Sequence, residues 1–326
     1  MKKWLAFAVL AALAAGCGNA PDDAGNDTAS TDASEQIRVA FVTNNASDFW
    51  KIARAGTEAA AKDFNCDVEF RIPAGGTAAD QQQIMEDLMV TGISGIAVSP
   101  NDPDNWTEVL NEIAEKVNLV TQDSDAPNSN RACYIGTDNF AAGQAAGELI
   151  ISALPDGGKI MVFVGKMDAQ NAQDRLAGIK SVLEGTSIEI ADVKTDETDR
   201  AKAIANVQTT LVSYPDIAAL VGLWSYNGPA ILNAVRDSGK LDQVKIIAFD
   251  EEDETLQGVQ DGHIAGTIVQ QPYQFGYESV KVLSELAQGD LSSIPESKQI
   301  FIPVQTITQA NVVEFWSQLK ERLNAS

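Results

Sequence analysis

The 326-residue chain is short of bases, histidine, cysteine and aromatic rings. Each shortage closes off a class of function. Lys and Arg number 23 against 46 Asp and Glu, a formal net charge of −23. A surface so acidic repels phosphate backbones, which excludes general nucleic-acid binding. His263 is the lone histidine, so no two-His zinc site can form and any His-based triad must use that residue. Three cysteines, at 17, 66 and 133, cannot build a disulfide scaffold. The spacings G-x-x-x-x-G-K-[ST], G-x-G-x-x-G, C-x-x-C and G-x-S-x-G are all missing, and with them the signatures of phosphate-cradling, dinucleotide, redox and serine-hydrolase chemistry. No enzyme activity, cofactor or metal is expected.

What is present begins with a targeting segment. Lys2 and Lys3 precede an apolar run of 12 residues, 4–15. A bilayer span needs about 20 residues, so the run reads as a secretory signal. It ends in Ala14-Ala15-Gly16-Cys17, which resembles the lipobox of bacterial lipoproteins, where the cysteine becomes the acylated N-terminus. Leucine is usual three places before that cysteine, and here Leu13 stands one place earlier. Cleavage after Ala20 is the alternative, but a lone cysteine bounding an apolar run favours the lipoprotein. Residues 18–36 carry five acids, no base and no large apolar side chain, a composition suited to a solvated tether. The expectation is a signal peptide over 1–16, a lipidated Cys17 with a tether to 36, and a globular body held at a membrane surface.

From residue 37 onward short β-branched runs alternate with longer amphipathic stretches. Strands are predicted over 37–43, 67–72, 95–99, 118–122, 132–135, 159–164, 188–193, 218–222 and 245–249. Helical periodicity lies between them, as in Phe49/Ile52/Ala53/Gly56/Ala60 and Trp106/Val109/Leu110/Ile113. The alternation implies parallel sheets covered on both faces. This many strands suits two doubly wound lobes better than one long sheet.

Open α/β sheets bind ligands beyond the carboxyl ends of their strands. Those ends carry Asn44 to Trp50, Ser99-Pro100-Asn101-Asp102, Asp123-Ser124-Asp125, Gly165 to Asp168 leading to Arg175, Trp224-Ser225-Tyr226-Asn227, and Asp250. Aromatic rings can stack on the CH faces of a sugar, while carboxylates, amides and guanidinium bond its hydroxyls.

Over residues 37–310 the sequence resembles the sugar-binding proteins of bacterial ATP-driven importers, of the ribose-binding type. The resemblance rests on Asp48-Phe49-Trp50, Gly136-Thr137-Asp138-Asn139, Arg175-Leu176-Ala177-Gly178, Ala248-Phe249-Asp250 and Ile268-Val269-Gln270-Gln271-Pro272, in that order. It implies a type I periplasmic binding protein fold, with two doubly wound α/β lobes joined by three crossovers, near Thr137, Gln270 and residue 298. The first lobe would comprise 37–137 with 271–298, the second 138–270 with 299–326. It also implies a monomer that closes on one monosaccharide, a pentose or hexose, and delivers it to an inner-membrane ABC permease from the periplasm or cell surface. A receptor for a sugar-like autoinducer or chemotactic signal, on the same fold, is the alternative. Carried over position by position, Phe49 and Trp50 flank the sugar ring, and Asp123 is the carboxylate of the first lobe. Thr137 is a hinge contact, Arg175 and Asp250 face the ligand from the second lobe, and Gln270 is the last hinge contact. Trp224 or Ser225 takes the place of a family asparagine. The sequence departs from the ribose binders at Ser124, where they have arginine, and at Ser99, where they have asparagine.

The residues also admit plainer readings. One of Phe49 and Trp50 is expected to point inward, and Asp48 to cap the helix they begin. Arg175 beside Asp174 would, without the resemblance, read as a surface ion pair. Glu251 to Glu254 read as first-turn acids favoured by a helix dipole, with calcium ligation the lesser reading. His263 is expected in an exposed turn. Cys66 and Cys133 fall at opposite edges of a 2-1-3-4-5 sheet, about 19 Å apart, too far for a disulfide.

Overall fold

The computed structural model describes residues 36–47, 49–74, 77–167 and 169–324. The signal segment, Cys17, the tether and Asp48 lie outside the described residues. Twelve strands and ten helices are described. The strands form two six-stranded sheets.

The first sheet is ordered β11-β5-β4-β3-β1-β2, from β1 (Arg38–Val42), β2 (Asp67–Arg71), β3 (Gly95–Val98), β4 (Asn118–Gln122), β5 (Tyr134–Gly136) and β11 (Gln299–Phe301). The second is ordered β12-β10-β9-β8-β6-β7, from β6 (Gly158–Val164), β7 (Ile188–Thr195), β8 (Ile217–Gly222), β9 (Lys245–Phe249), β10 (Gly266–Val269) and β12 (Gln305–Ile307). The two orders match position for position. All pairings are parallel except β10 with β12.

Central strands such as β3 are buried at every residue. That burial is why they read as unbroken apolar runs rather than alternating ones. Apolar layers cover both faces of each sheet, Val39, Phe41 and Trp50 on one face of the first and Ala40, Val42 and Met85 on the other. The helices of the first lobe are α1 (Phe49–Asp63), α2 (Ala78–Met89), α3 (Thr107–Ala114) and α9 (Pro272–Ala287). Those of the second are α4 (Asn139–Ala153), α5 (Gln170–Leu183), α6 (Arg200–Ser213), α7 (Asn227–Asp237), α8 (Asp253–Gln260) and α10 (Val312–Asn324).

The chain changes sheet three times. It leaves the first after β5, returns after β10, and crosses again between β11 and β12. The last crossing was expected near residue 298. It lies at 302–304 instead, because Gln299–Phe301 pairs with β5 as an edge strand of the first sheet.

Each lobe is held by one close helix crossing. In the first, α1 meets α9 where a Cβ on Gly276 would lie 2.1 Å from the Ala53 carbonyl oxygen. In the second, α4 meets α5 where a Cβ on Gly143 would lie 2.1 Å from the Arg175 carbonyl oxygen. Glycine is required here because the two backbones touch.

Cys66 precedes β2 and Cys133 precedes β5, strands separated in the sheet by β1, β3 and β4. Both thiols are free and buried. Burial pushes Cys133 up to about 11, which keeps it in the unreactive thiol form. His263 is half-buried rather than exposed.

Candidate functional site

Two carboxylates define the site, one on each lobe, and the same local geometry holds both. Asp123 follows β4 with φ +59°, and Asp250 follows β9 with φ +65°. Aspartate tolerates the left-handed turn better than most side chains. In each case the next strand anchors the backbone. The Asp123 N–H donates to Ile135 O at 3.2 Å, and the Asp250 N–H to Ile268 O at 2.9 Å. The Asp123 carbonyl accepts from the Tyr134 hydroxyl at 3.0 Å, and the Asp250 carbonyl from Thr267 Oγ1 at 2.7 Å. Tyr134 also bonds the Thr137 carbonyl at 3.1 Å, which fixes the first hinge crossing relative to Asp123.

The hinge residues meet. Thr137 Oγ1 donates to Gln270 Oε1 at 2.9 Å, and Gln270 Nε2 donates to Asp250 Oδ1 at 3.0 Å. Two residues 133 positions apart thus join the crossings, and Gln270 carries the link onto the second carboxylate. On the first lobe, Asp123 Oδ2 accepts from Ser99 Oγ at 2.9 Å and from Asn44 Nδ2 at 3.4 Å. Asn44 Nδ2 also reaches Ser99 Oγ at 3.0 Å. Below them the buried Gln81 staples two strand-end loops, donating to Thr43 O at 2.9 Å and Ser99 O at 2.7 Å.

Arg175 is 2% exposed, which rules out the surface ion pair with Asp174. Its Nε donates to Asn139 Oδ1 at 2.9 Å and its Nη1 to Leu223 O at 2.7 Å. The guanidinium lies 4.5 Å from the centroid of the Phe249 ring. Stacking on an aromatic face suits a planar, weakly hydrated cation.

The charges act on one another. Burial pushes the Asp123 carboxyl up to about 6, and the Asp250 charge adds to the rise, while the Ser99 bond and Arg175 oppose it. Burial also raises Asp250, against the pull of Arg175 and Gln270. Desolvation lowers Arg175, with Asp250 and Asp123 restoring its charge. The fold therefore brings Asp123, Thr137, Arg175, Asp250 and Gln270 into one electrostatic and hydrogen-bonded group.

The aromatic expectation needs correction at Trp50. Trp50 is 2% exposed and packs edge-on to Phe41, centroids 6.0 Å apart, inside the first-lobe core. Neighbours on a helix point about 100° apart, so only one of two adjacent rings can face outward. That one is Phe49, half-buried, edge-on to Trp50 at 5.0 Å and tilted against Phe275 at 6.2 Å. Trp224 and Ser225 are half-buried on the loop just after Leu223. The Trp224 indole donates to Asn171 Oδ1 at 3.2 Å, and its ring covers Gly165. Behind this loop Asp196 accepts from the Tyr226 hydroxyl and from Asn227 Nδ2.

Glu251 also differs from expectation. Helix α8 begins at Asp253, and Glu251 is 9% exposed with its Oε2 unpartnered. Burial and the neighbouring Asp250 hold its carboxyl well above the usual range. Asn44, Ser99, Tyr134 and Asn139 join the candidate group through their bonds to Asp123, Thr137 and Arg175. The sequence places Asn44 and Ser99 at strand ends but gives them no partner.

The sequence pattern of the family described as "Periplasmic binding protein domain" matches residues 39–291. The ribose import binding protein of Salmonella typhimurium is 26% identical over 209 residues, covering 63% of this chain and 70% of that protein. The D-allose-binding periplasmic protein of Escherichia coli is 26% identical over 267 residues, covering 77% and 86%. Among solved structures, an ABC transporter solute-binding protein from Burkholderia graminis, in complex with D-arabinose, superposes with a TM-score of 0.78. It is 30% identical, over 84% of this chain and 96% of that one. Two parallel-sheet α/β lobes with this strand order are the type I arrangement of such proteins. The chain belongs to the periplasmic binding protein domain family.

Proposed function

We propose that this chain is the substrate-binding component of a sugar importer, taking one monosaccharide between its lobes and delivering it to a membrane permease. The observation that carries the reading is the linked group at the hinge. Asp123 from one lobe and Arg175 and Asp250 from the other feel one another's charge, and Thr137 and Gln270 tie the crossings beside them. Paired carboxylates, an amide and a stacked guanidinium recognise clustered hydroxyls by direction as well as by charge. Contacts divided between lobes make the ligand favour the arrangement in which both halves reach it. The named sugars of the relatives, ribose, allose and arabinose, support the class.

In this reading the ligand contacts are Asp123, Thr137, Arg175, Asp250 and Gln270, with Phe49, Trp224 and Ser225 at the rim. On the same reading the group orients hydroxyls by hydrogen bonding, and its role is binding. No helix among the described residues is long and apolar enough to cross a membrane. Attachment would then come from acylated Cys17, with the body in the periplasm or at the cell surface.

A thermal-shift screen of pentoses, hexoses and polyols tests the function. A ligand at about 100 times its Kd adds about 2.7 kcal/mol of stability, a melting shift of several degrees. A flat response across the panel refutes the proposal. Labelled palmitate incorporation, lost in Cys17→Ser, tests the anchor.

A further inference from the structure

The hinge group is out of charge balance. Asp123 and Asp250 bring two carboxylates to two strand ends, against the single guanidinium of Arg175. Among the described residues none of these three closes an ion pair. The donors that do meet the carboxylates are neutral: Ser99 Oγ and Asn44 Nδ2 on Asp123, and Gln270 Nε2 on Asp250. On the first lobe the described hydrogen bonds to the Asp123 carboxylate come from the serine and the amide. Arg175, stacked over Phe249, the residue before Asp250, acts on Asp123 through its charge without bonding it.

A second observation points the same way. Asn44 Oδ1 is a buried acceptor without a partner. The Asn44 amide is already bonded to Asp123 through its nitrogen, so its orphaned oxygen stands beside that carboxylate. Acceptors thus outnumber donors around Asp123. A hydroxyl brings one donor along with lone pairs of its own and adds no charge, while an ammonium brings three donors, no acceptor and one positive charge.

We propose that the ligand is a monosaccharide or cyclic polyol carrying one protonated amine. The ammonium seats against Asp123 and Asn44, and the hydroxyls meet Arg175, Asp250 and Gln270. The inference rests on the sugar-binding reading above and narrows it. A free amino acid fits less well, because its carboxylate would need the guanidinium fork. Two nitrogens of Arg175 are already committed to Asn139 and Leu223, and the Asp123 and Asp250 carboxylates already act on it. With its carboxyl raised to about 6, Asp123 is ionised at pH 7 at the expense of burial, a cost that an adjacent cation relieves. The chain's net charge of −23 also concentrates small cations near its surface.

The test is calorimetric titration of the full-length chain at pH 7 with matched pairs: glucosamine against glucose, galactosamine against galactose, an inosamine against inositol. N-acetylated amines serve as charge-free controls. We expect at least one amine to bind about tenfold or more tighter than its hydroxyl parent, a gap well beyond assay scatter. N-acetylation should erase the gap, and Asp123→Asn should bring amine and parent to similar affinity. A neutral sugar bound as tightly as every amine overturns this inference and leaves the sugar-binding function standing. A gap that survives N-acetylation or Asp123→Asn overturns the seat at Asp123. No binding in either class removes the sugar-binding function and this inference together.

Discussion

Gly143→Ala tests whether the second lobe's helix crossing exists to aim Arg175. The added Cβ would lie 2.1 Å from the Arg175 carbonyl oxygen and 2.8 Å from its carbonyl carbon and Cα. All three are backbone atoms, so no rotamer change relieves the clash. The helices must part by about 1 Å in a close-packed interior. Overpacking of this kind costs about 1–3 kcal/mol, a fall in Tm of about 2–12 °C for a chain of this size. The affinity should fall as well. α4 carries Asn139, which takes Arg175 Nε at 2.9 Å, while α5 carries Arg175 itself. Parting the helices stretches that bond and the 2.7 Å bond to Leu223 O. Charge-assisted bonds are worth about 1.5–3 kcal/mol each, and partial loss should weaken sugar binding by about 10- to 100-fold.

The fold supplies the control. Gly276→Ala makes the same 2.1 Å clash, against the Ala53 carbonyl oxygen, where the crossing residue has no side chain that reaches the site. Its Tm should fall by a similar amount while Kd changes less than about threefold, within the scatter of neutral contacts. Differential scanning calorimetry and isothermal titration, run on both variants with whichever of D-ribose, D-allose and D-arabinose binds the parent, measure the two quantities separately. Equal losses of affinity in the two variants, or an unchanged Kd in Gly143→Ala alongside a lowered Tm, would refute the positioning role.

Arg175→Lys keeps the charge but cannot bond both Asn139 and Leu223 O, and should weaken binding by about 30-fold or more in the same titration. Asp123 has a folded-state pKa of about 6, above its unfolded value. Its contribution to stability is therefore full below pH 4 and is lost as pH rises through 6. The Tm of Asp123→Asn, relative to the parent in ligand-free protein, should accordingly climb between pH 4 and pH 7, and a flat difference would contradict the buried charge. Trp50→Leu should lower the free energy of unfolding by about 2–4 kcal/mol in urea melts, as for other core truncations. The sugar affinity of the folded fraction should stay nearly unchanged, since the ring sits in the core.

Most of the fold was legible because buried parallel strands write themselves as short β-branched runs, and helices between them as 3.6-residue periodicities. The nine predicted strands correspond to β1 to β9. The edge strands β11 and β12 have three residues each, too few to show any period, and the misplaced third crossing follows from missing β11. At the site, positions were legible but partners were not. Asp123 is recognisable as a strand-end acid, yet Ser99 and Asn44, which bond it, lie 24 and 79 residues away. Asn139 supports Arg175 across 36 residues of chain. Phe49 and Trp50 are equivalent as letters, and only the direction of α1 against the sheet decides which ring is core. The acids 250 to 254 are equally alike in sequence. Burial separates Asp250 and Glu251 from the exposed Asp253 and Glu254, and that depends on where β9 stops relative to the start of α8.

The two lobes repeat one framework and differ in what it carries, and that difference bears on how binding is coupled to closure. The twin left-handed aspartates keep their place in both halves. At the helix crossings, Ala53 in the first lobe answers to Arg175 in the second. At the strand ends beyond β5 and β10, Thr137 answers to Gln270, and the two are bonded to each other. The second lobe therefore holds the cation, one carboxylate and the bridging amide, while the first offers Asp123 with its serine and asparagine. A ligand satisfied by the second lobe alone has no reason to prefer either arrangement of the lobes, because a ligand shifts an equilibrium only by its difference in affinity. If the ligand sits between the lobes as proposed, the preference for closure comes from what the first lobe adds, Asp123, Thr137 and Phe49, and those contacts then discriminate between open and closed.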